Sequence, residues 1–139
     1  MENPMVLDEI EGGCLCGNIR FRVRRIRRTH ICHCDMCRRA TGGPFAVLSW
    51  VDATAVVWEG TKQPKARRSS PIATRSFCGD CGTPITLQYD DDPDQLAFYA
   101  GTFDTPEKIP PTYNYHEQSR LHWVRCGEEL PAHPPEEGW

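Results

Sequence analysis

Cys32-His33-Cys34-Asp35-Met36-Cys37 places three thiols and an imidazole within six residues, a density that side-chain packing does not require. Zinc takes cysteine sulfurs at about 2.3 Å, and a closed structural site needs four ligands. The stretch offers three thiols. Either a fourth ligand arrives from elsewhere in the chain, or one coordination position stays open. The first alternative makes a metal-stapled scaffold and the second an enzyme.

The flanks of this stretch read as strand on one side and short helix on the other. Thr29 to Cys34 is extended, which places His33 on the opposite face from Cys32 and Cys34. Asp35 to Thr41 can form one or two helical turns, with Asp35 as the expected N-cap, and Gly42-Gly43-Pro44 ends them. Upstream, Ile19, Phe21 and Val23 alternate with Arg20, Arg22 and Arg24, the period of a half-buried strand. Arg25, Arg27 and Arg28 extend the charge, as a solvated strand face or as a steering patch for a carboxylate-bearing substrate. Downstream, Phe45 to Val51, Ala55 to Trp58, Ile72 to Phe77, Ile85 to Tyr89 and Leu96 to Tyr99 are rich in β-branched and aromatic residues and read as strands. Thr61 to Ser70 is polar and basic and is expected as a loop or exposed hairpin end. The run Asp90-Asp91-Asp92-Pro93-Asp94 is an acidic turn without the spaced ligands of a calcium loop. Strands outnumber helices, so the fold class is mainly β.

At 139 residues the chain is sized for one domain. We place it at 10–125, after a lead-in at 1–9 and before a Pro- and Glu-rich tail at 126–139 expected to be disordered. A net charge of −3 argues against nucleic acid as a partner. The longest apolar stretch is too short to cross a membrane. No signal-peptide core opens the chain, so it reads as soluble and cytoplasmic. Thiols stay reduced in that compartment, and clustered reduced thiols favour metal.

Two further motifs carry cysteines. Gly13-Cys14-Leu15-Cys16-Gly17 holds two thiols two residues apart, hence on one face of an extended segment. Cys78-Gly79-Asp80-Cys81-Gly82 is a tight knuckle whose amides can point at the sulfurs. A redox role for this C-x-x-C lacks the surrounding βαβ pattern. With Cys14 and Cys16, it makes a four-cysteine set without a vacancy, and therefore structural. Cys32, Cys34 and Cys37 then remain as a three-thiolate site. Cys126, the one cysteine left over, is the candidate to close it. His30, His116 and His122 are weaker ligand candidates and read as surface or packed histidines.

The three cysteine motifs in this order, with Arg38-Arg39 and Gly42-Gly43 after the second and Phe77 before the third, resemble the glutathione-dependent formaldehyde-activating enzyme family, which includes the centromere protein V-like domains. The resemblance covers about residues 10–125. It implies an Mss4-like fold of small packed antiparallel sheets with zinc knuckles and few helical turns. It also implies a structural Zn²⁺ on Cys14, Cys16, Cys78 and Cys81, and a catalytic Zn²⁺ of full or partial occupancy on Cys32, Cys34 and Cys37. The activity it implies is that of a carbon–sulfur lyase, joining glutathione and formaldehyde reversibly. Family members often carry a histidine about nine residues before a tryptophan resembling Trp123, where this chain has Asn114. The expected partners are a small thiol such as glutathione and a small aldehyde, with Arg38, Arg39 or the Arg20–Arg28 strand as candidates for the thiol's carboxylates. The rival reading is a zinc-stabilised binding module, docking through aromatic residues around Tyr113, Tyr115 and Trp123.

Overall fold

A computed structural model describes residues 9–132; residues 1–8 of the expected lead-in at 1–9 and residues 133–139 of the expected tail lie outside the described residues. Ten strands and one helix follow in chain order: β1 (Ile10–Gly13), β2 (Ile19–Val23), β3 (Arg28–Cys32), α1 (Asp35–Thr41), β4 (Ala46–Asp52), β5 (Val56–Gly60), β6 (Lys65–Ser70), β7 (Ala73–Phe77), β8 (Pro84–Tyr89), β9 (Gln95–Tyr99) and β10 (Tyr113–Tyr115). They form a three-stranded sheet, β1-β2-β5, and a seven-stranded sheet, β10-β3-β4-β9-β8-β7-β6. The pairs are antiparallel apart from β10 with β3. The mainly β class expected from the sequence is the class found. No helix among the described residues is long and apolar enough to cross a membrane.

The alternation in β2 positions the small sheet. Ile19, Phe21 and Val23 are fully buried, and the intervening arginines are half-buried. The apolar side packs on one face of the large sheet, against Val51 and Phe98. Phe21 lies at the centre, its ring 4.5 Å from Phe98 and 5.7 Å from Phe103. Removing a buried aromatic ring costs the transfer term plus the cavity left behind. Phe21→Ala is therefore expected to lose about 3–5 kcal/mol of stability, measured as the shift of the urea midpoint. The polar side of β2 is paired: Arg20 reaches Asp104 at 2.6 Å, Arg22 reaches Glu59 at 2.9 Å, and nearby Arg27 reaches Asp52 at 2.9 Å. These three are paired arginines of a solvated face, the first of the two alternatives read from the sequence, and are not part of a free steering patch.

Two local expectations are corrected. Residues 65–70, expected as loop or hairpin end, form the edge strand β6 along β7. Its charged side chains are those that keep a sheet edge from pairing further. The N-cap of α1 is Cys34, not Asp35: Cys34 has extended backbone and its Sγ accepts from the Cys37 amide at 3.3 Å. Asp35 instead pairs with Arg39 across one turn at 3.1 Å. Beyond residue 125, the chain is bonded to Asn114. The Asn114 amide donates to the Gly127 and Leu130 carbonyls, and its backbone N–H to Pro131.

The face of the large sheet turned away from the small one matters most for function. Cross-strand registers Tyr115↔Cys32, Cys32↔Ala46, Leu48↔Tyr99, Trp50↔Ala97, Leu87↔Ala97, Arg75↔Leu87 and Arg67↔Arg75 put all these residues on that face. The second apolar cluster forms here, around Cys32, Cys37, Trp50, Leu87 and Tyr99, with Tyr89 and Tyr115 at its margin.

Candidate metal centres

The first centre sits where the two sheets meet at one end. Cys14 directly follows β1, Cys16 comes next in the turn to β2, and Cys78 and Cys81 occupy the turn between β7 and β8. All four sulfurs lie within 4.8 Å of one another, with Cys14–Cys16 at 3.6 Å and Cys16–Cys78 at 3.8 Å. Sulfurs at the corners of a tetrahedron around zinc lie about 3.8 Å apart, so this donor set fits the ion. The backbone is arranged for thiolates. The Ile19 amide points at Cys14 Sγ at 3.3 Å, and the Asp80 and Cys81 amides point at Cys78 Sγ at 3.4 and 3.5 Å. The Thr83 hydroxyl, followed by the Thr83 backbone amide, pulls the Cys81 thiol down to about 5. Gly82 closes the knuckle at φ 82°, a left-handed conformation in which a side chain is strained. Asn18 bonds Asp80 at 2.9 Å and ties the two turns together, and Lys62 pairs with the same carboxylate at 3.0 Å.

The second centre lies on the opposite face of the large sheet. Cys32 ends β3, Cys34 caps α1 and Cys37 lies one turn into it. Their sulfurs also lie within 4.8 Å of one another. The Cys32 thiol and then the Cys37 thiol bond Cys34 and lower its pKa well below the ordinary thiol range; the same bond pushes Cys32 up. A sulfur at a helix N-cap, receiving a backbone N–H, is a natural place for negative charge. Soft thiolate donors suit zinc here as in the first centre. Cys126, the candidate to close this site, is exposed and belongs to neither cluster.

His33 turns away from the thiols, as its alternation requires. It is fully buried, and its Nε2 donates to Asn114 Oδ1 at 2.9 Å. Asn114 thus fixes the backbone just before Cys34 by holding His33 on the far side. His30 is a packed histidine: the Trp50 indole N–H donates to its Nε2 at 3.1 Å, and burial, then the Arg28 charge, pushes it down to about 3. Of the aromatic residues considered for docking, Tyr113 is buried, Tyr115 is partly buried beside the thiols and Trp123 is exposed. Arg38 is engaged by backbone: its Nη1 donates to the His33 and Ser119 carbonyls.

Sequence reasoning passed over Arg75. Its Nη2 lies 3.7 Å from Cys37 Sγ and its Nη1 donates to the Tyr99 hydroxyl. The signal was present in the alternation of Ala73, Arg75 and Phe77 along β7, which puts the guanidinium on the thiol-bearing face.

Comparisons with known proteins agree with this geometry. A sequence model of the family described as glutathione-dependent formaldehyde-activating enzyme matches residues 9–119. The chain is similar to a lyase-named, uncharacterised protein of Schizosaccharomyces pombe, 31% identical over 84 residues. That match covers 60% of this chain and 60% of the relative, so the chain spans less than two thirds of the relative's length. It is also similar to a Halomonas elongata protein provisionally named a glutathione-dependent formaldehyde-activating enzyme, 29% identical over 111 residues, covering 73% of this chain and 70% of that one. A solved Rhodobacter sphaeroides structure shares the fold, with a TM-score of 0.57 at 18% identity over 88% of this chain and 98% of that one. With the family's match spanning both cysteine clusters, the chain belongs to the glutathione-dependent formaldehyde-activating enzyme family.

Proposed function

We propose that this protein is a zinc-dependent carbon–sulfur lyase that makes and breaks the adduct of a small thiol, such as glutathione, with formaldehyde. Cys14, Cys16, Cys78 and Cys81 hold a structural zinc, and Cys32, Cys34 and Cys37 hold a second, catalytic one. The observation that carries the reading is the second cluster: three converging thiols on one sheet face, with the leftover Cys126 exposed elsewhere. Bound there, zinc supplies a Lewis acid that keeps an incoming thiol as its thiolate at neutral pH. A free thiol is only about 3% ionised at pH 7, so ionisation alone is worth roughly thirtyfold in nucleophile concentration.

The chain's own residues supply the rest. Three thiolates around a divalent ion leave one net negative charge, and Arg75 beside Cys37 offsets it. Tyr89, Tyr99 and Tyr115 wall the thiols and limit water, which strengthens each charge interaction inside. In the adding direction the carbon–sulfur bond forms as the carbonyl π bond opens, and the thiol's proton ends on the new hydroxyl. The lyase direction reverses each change. Exchange spectroscopy of formaldehyde with glutathione tests the proposal. The zinc-loaded protein is expected to accelerate exchange over buffer, and equal exchange with and without protein would leave a zinc-stapled scaffold.

A further inference from the structure

Behind Arg75 lies a cavity of about 270 Å³ lined by Arg39, Arg67, Arg75, Ser76, Pro84 and Tyr99, among others. Arg67 and Arg75 stand directly opposite each other across β6 and β7. Like charges in that register repel, and neither arginine has a carboxylate partner among the described residues. On the same strand, Arg68 is paired with Asp90 at 2.8 Å. Arg75 is 8% exposed, and its Nε has no hydrogen-bond partner. A guanidinium so far from water needs a compensating anion. A Cys37 thiolate accounts for part of the Arg75 charge; it does not reach Arg67. Two facing arginines in a cavity are built for a carboxylate, which they can grip through paired N–H bonds.

We propose that this cavity seats the C-terminal carboxylate of the thiol peptide whose sulfur enters the Cys32, Cys34 and Cys37 site, an assignment that rests on that site taking a thiol. Arg75 is common to the two places: its Nη2 lies 3.7 Å from Cys37 Sγ, and it lines the cavity. A carboxylate one residue beyond the thiol-bearing residue lies within about 7 Å of the sulfur, and the Arg75 guanidinium lies 3.7 Å from Cys37 Sγ, inside that reach. In glutathione this is the glycyl carboxylate. The glutamyl carboxylate carries an ammonium group on the same carbon, which an arginine cluster repels. Arg39, held by Asp35 at the rim, adds charge at the mouth. The carboxylate seat therefore comes from the edge strand pair β6–β7, not from the Arg20–Arg28 strand or Arg38.

The test uses S-methylglutathione and its glycyl monoethyl ester, titrated calorimetrically into the zinc-loaded full chain. Neither probe has a free thiol, and no formaldehyde is present. The wild type is expected to bind the acid at least about tenfold more tightly than the ester, the worth of a charge-assisted pair. Arg67→Gln, on the exposed edge strand, brings the two affinities together. Arg75→Lys keeps the charge, loses the fork and weakens the acid alone. Undetectable binding of the acid, equal binding of acid and ester by the wild type, or an unchanged preference in Arg67→Gln overturns the assignment. The outcome is separable from catalysis: exchange without the preference defeats this assignment alone, and the preference without exchange supports it while defeating the lyase reading.

Discussion

Metal-free protein is expected to lose its cooperative thermal transition, and added zinc is expected to restore it. The four-thiol centre joins the β1–β2 turn of the small sheet to the β7–β8 turn of the large one. Cys14 and Cys78 are also part of the apolar core between the sheets. Without the ion, four converging thiols there have no reason to stay together, and the core loses the corner that closes it. Structural zinc contributes roughly 10–16 kcal/mol in small zinc-finger peptides, as much as the whole stability of about 5–15 kcal/mol that a typical domain has. Ligand thiols must deprotonate to bind, so the ion is released, and the transition lost, as the pH falls. Differential scanning calorimetry after treatment with a strong chelator is the measurement. Cys78→Ser should behave as the chelated wild type, and Cys126→Ser as the untreated protein, because Cys126 belongs to neither cluster. A chelated protein that melts with the wild-type transition would contradict the structural role of this centre.

Cys34→Ser is expected to lower formaldehyde–glutathione exchange by more than about thirtyfold, the value of ionisation, with the orientation of the two reactants lost in addition. The substitution is gentle for the fold. Cys34 is only half-buried, and a serine at an N-cap accepts the same N–H from position 37 that the thiol accepts now. The four-thiol centre lies on the other side of the large sheet. The variant should therefore keep its thermal transition and one metal ion per chain while losing the second ion and the exchange. Exchange at the wild-type rate in a folded Cys34→Ser protein would remove the three-cysteine site from the chemistry.

The cysteines were legible in the sequence because their meaning is local. Spacings of two and three residues mark each thiol pair or triplet within a few residues, and the structure brings together both sets, Cys14 and Cys16 with Cys78 and Cys81, and Cys32, Cys34 and Cys37. The strand β2 was legible for the same reason, since its period of two appears within five residues. What escaped depends on pairing between distant segments. The edge strand β6 has no buried face, so Lys65 to Ser70 carries no alternation to read. Its value lies in placing Arg67 opposite Arg75, which no short window of sequence contains. Asn114 reads as a departure from the family's pattern until the parallel pairing of β10 with β3 places its side chain on His33. Cys34 as the cap in place of Asp35 turns on a choice between adjacent residues, and the helix starts one residue earlier than a carboxylate cap at Asp35 requires.

The account depends on one coordination position at Cys32, Cys34 and Cys37, and X-ray absorption at the zinc edge measures it directly. In the two-zinc protein, four thiols at one ion and three at the other average 3.5 sulfurs per ion, with an oxygen or nitrogen atom as the fourth donor at the second ion. Added glutathione is expected to raise the average to four as its sulfur takes the open position. Four sulfurs per ion before any thiol is added would mean that both centres are closed by the protein, and the reading as a catalyst would fall.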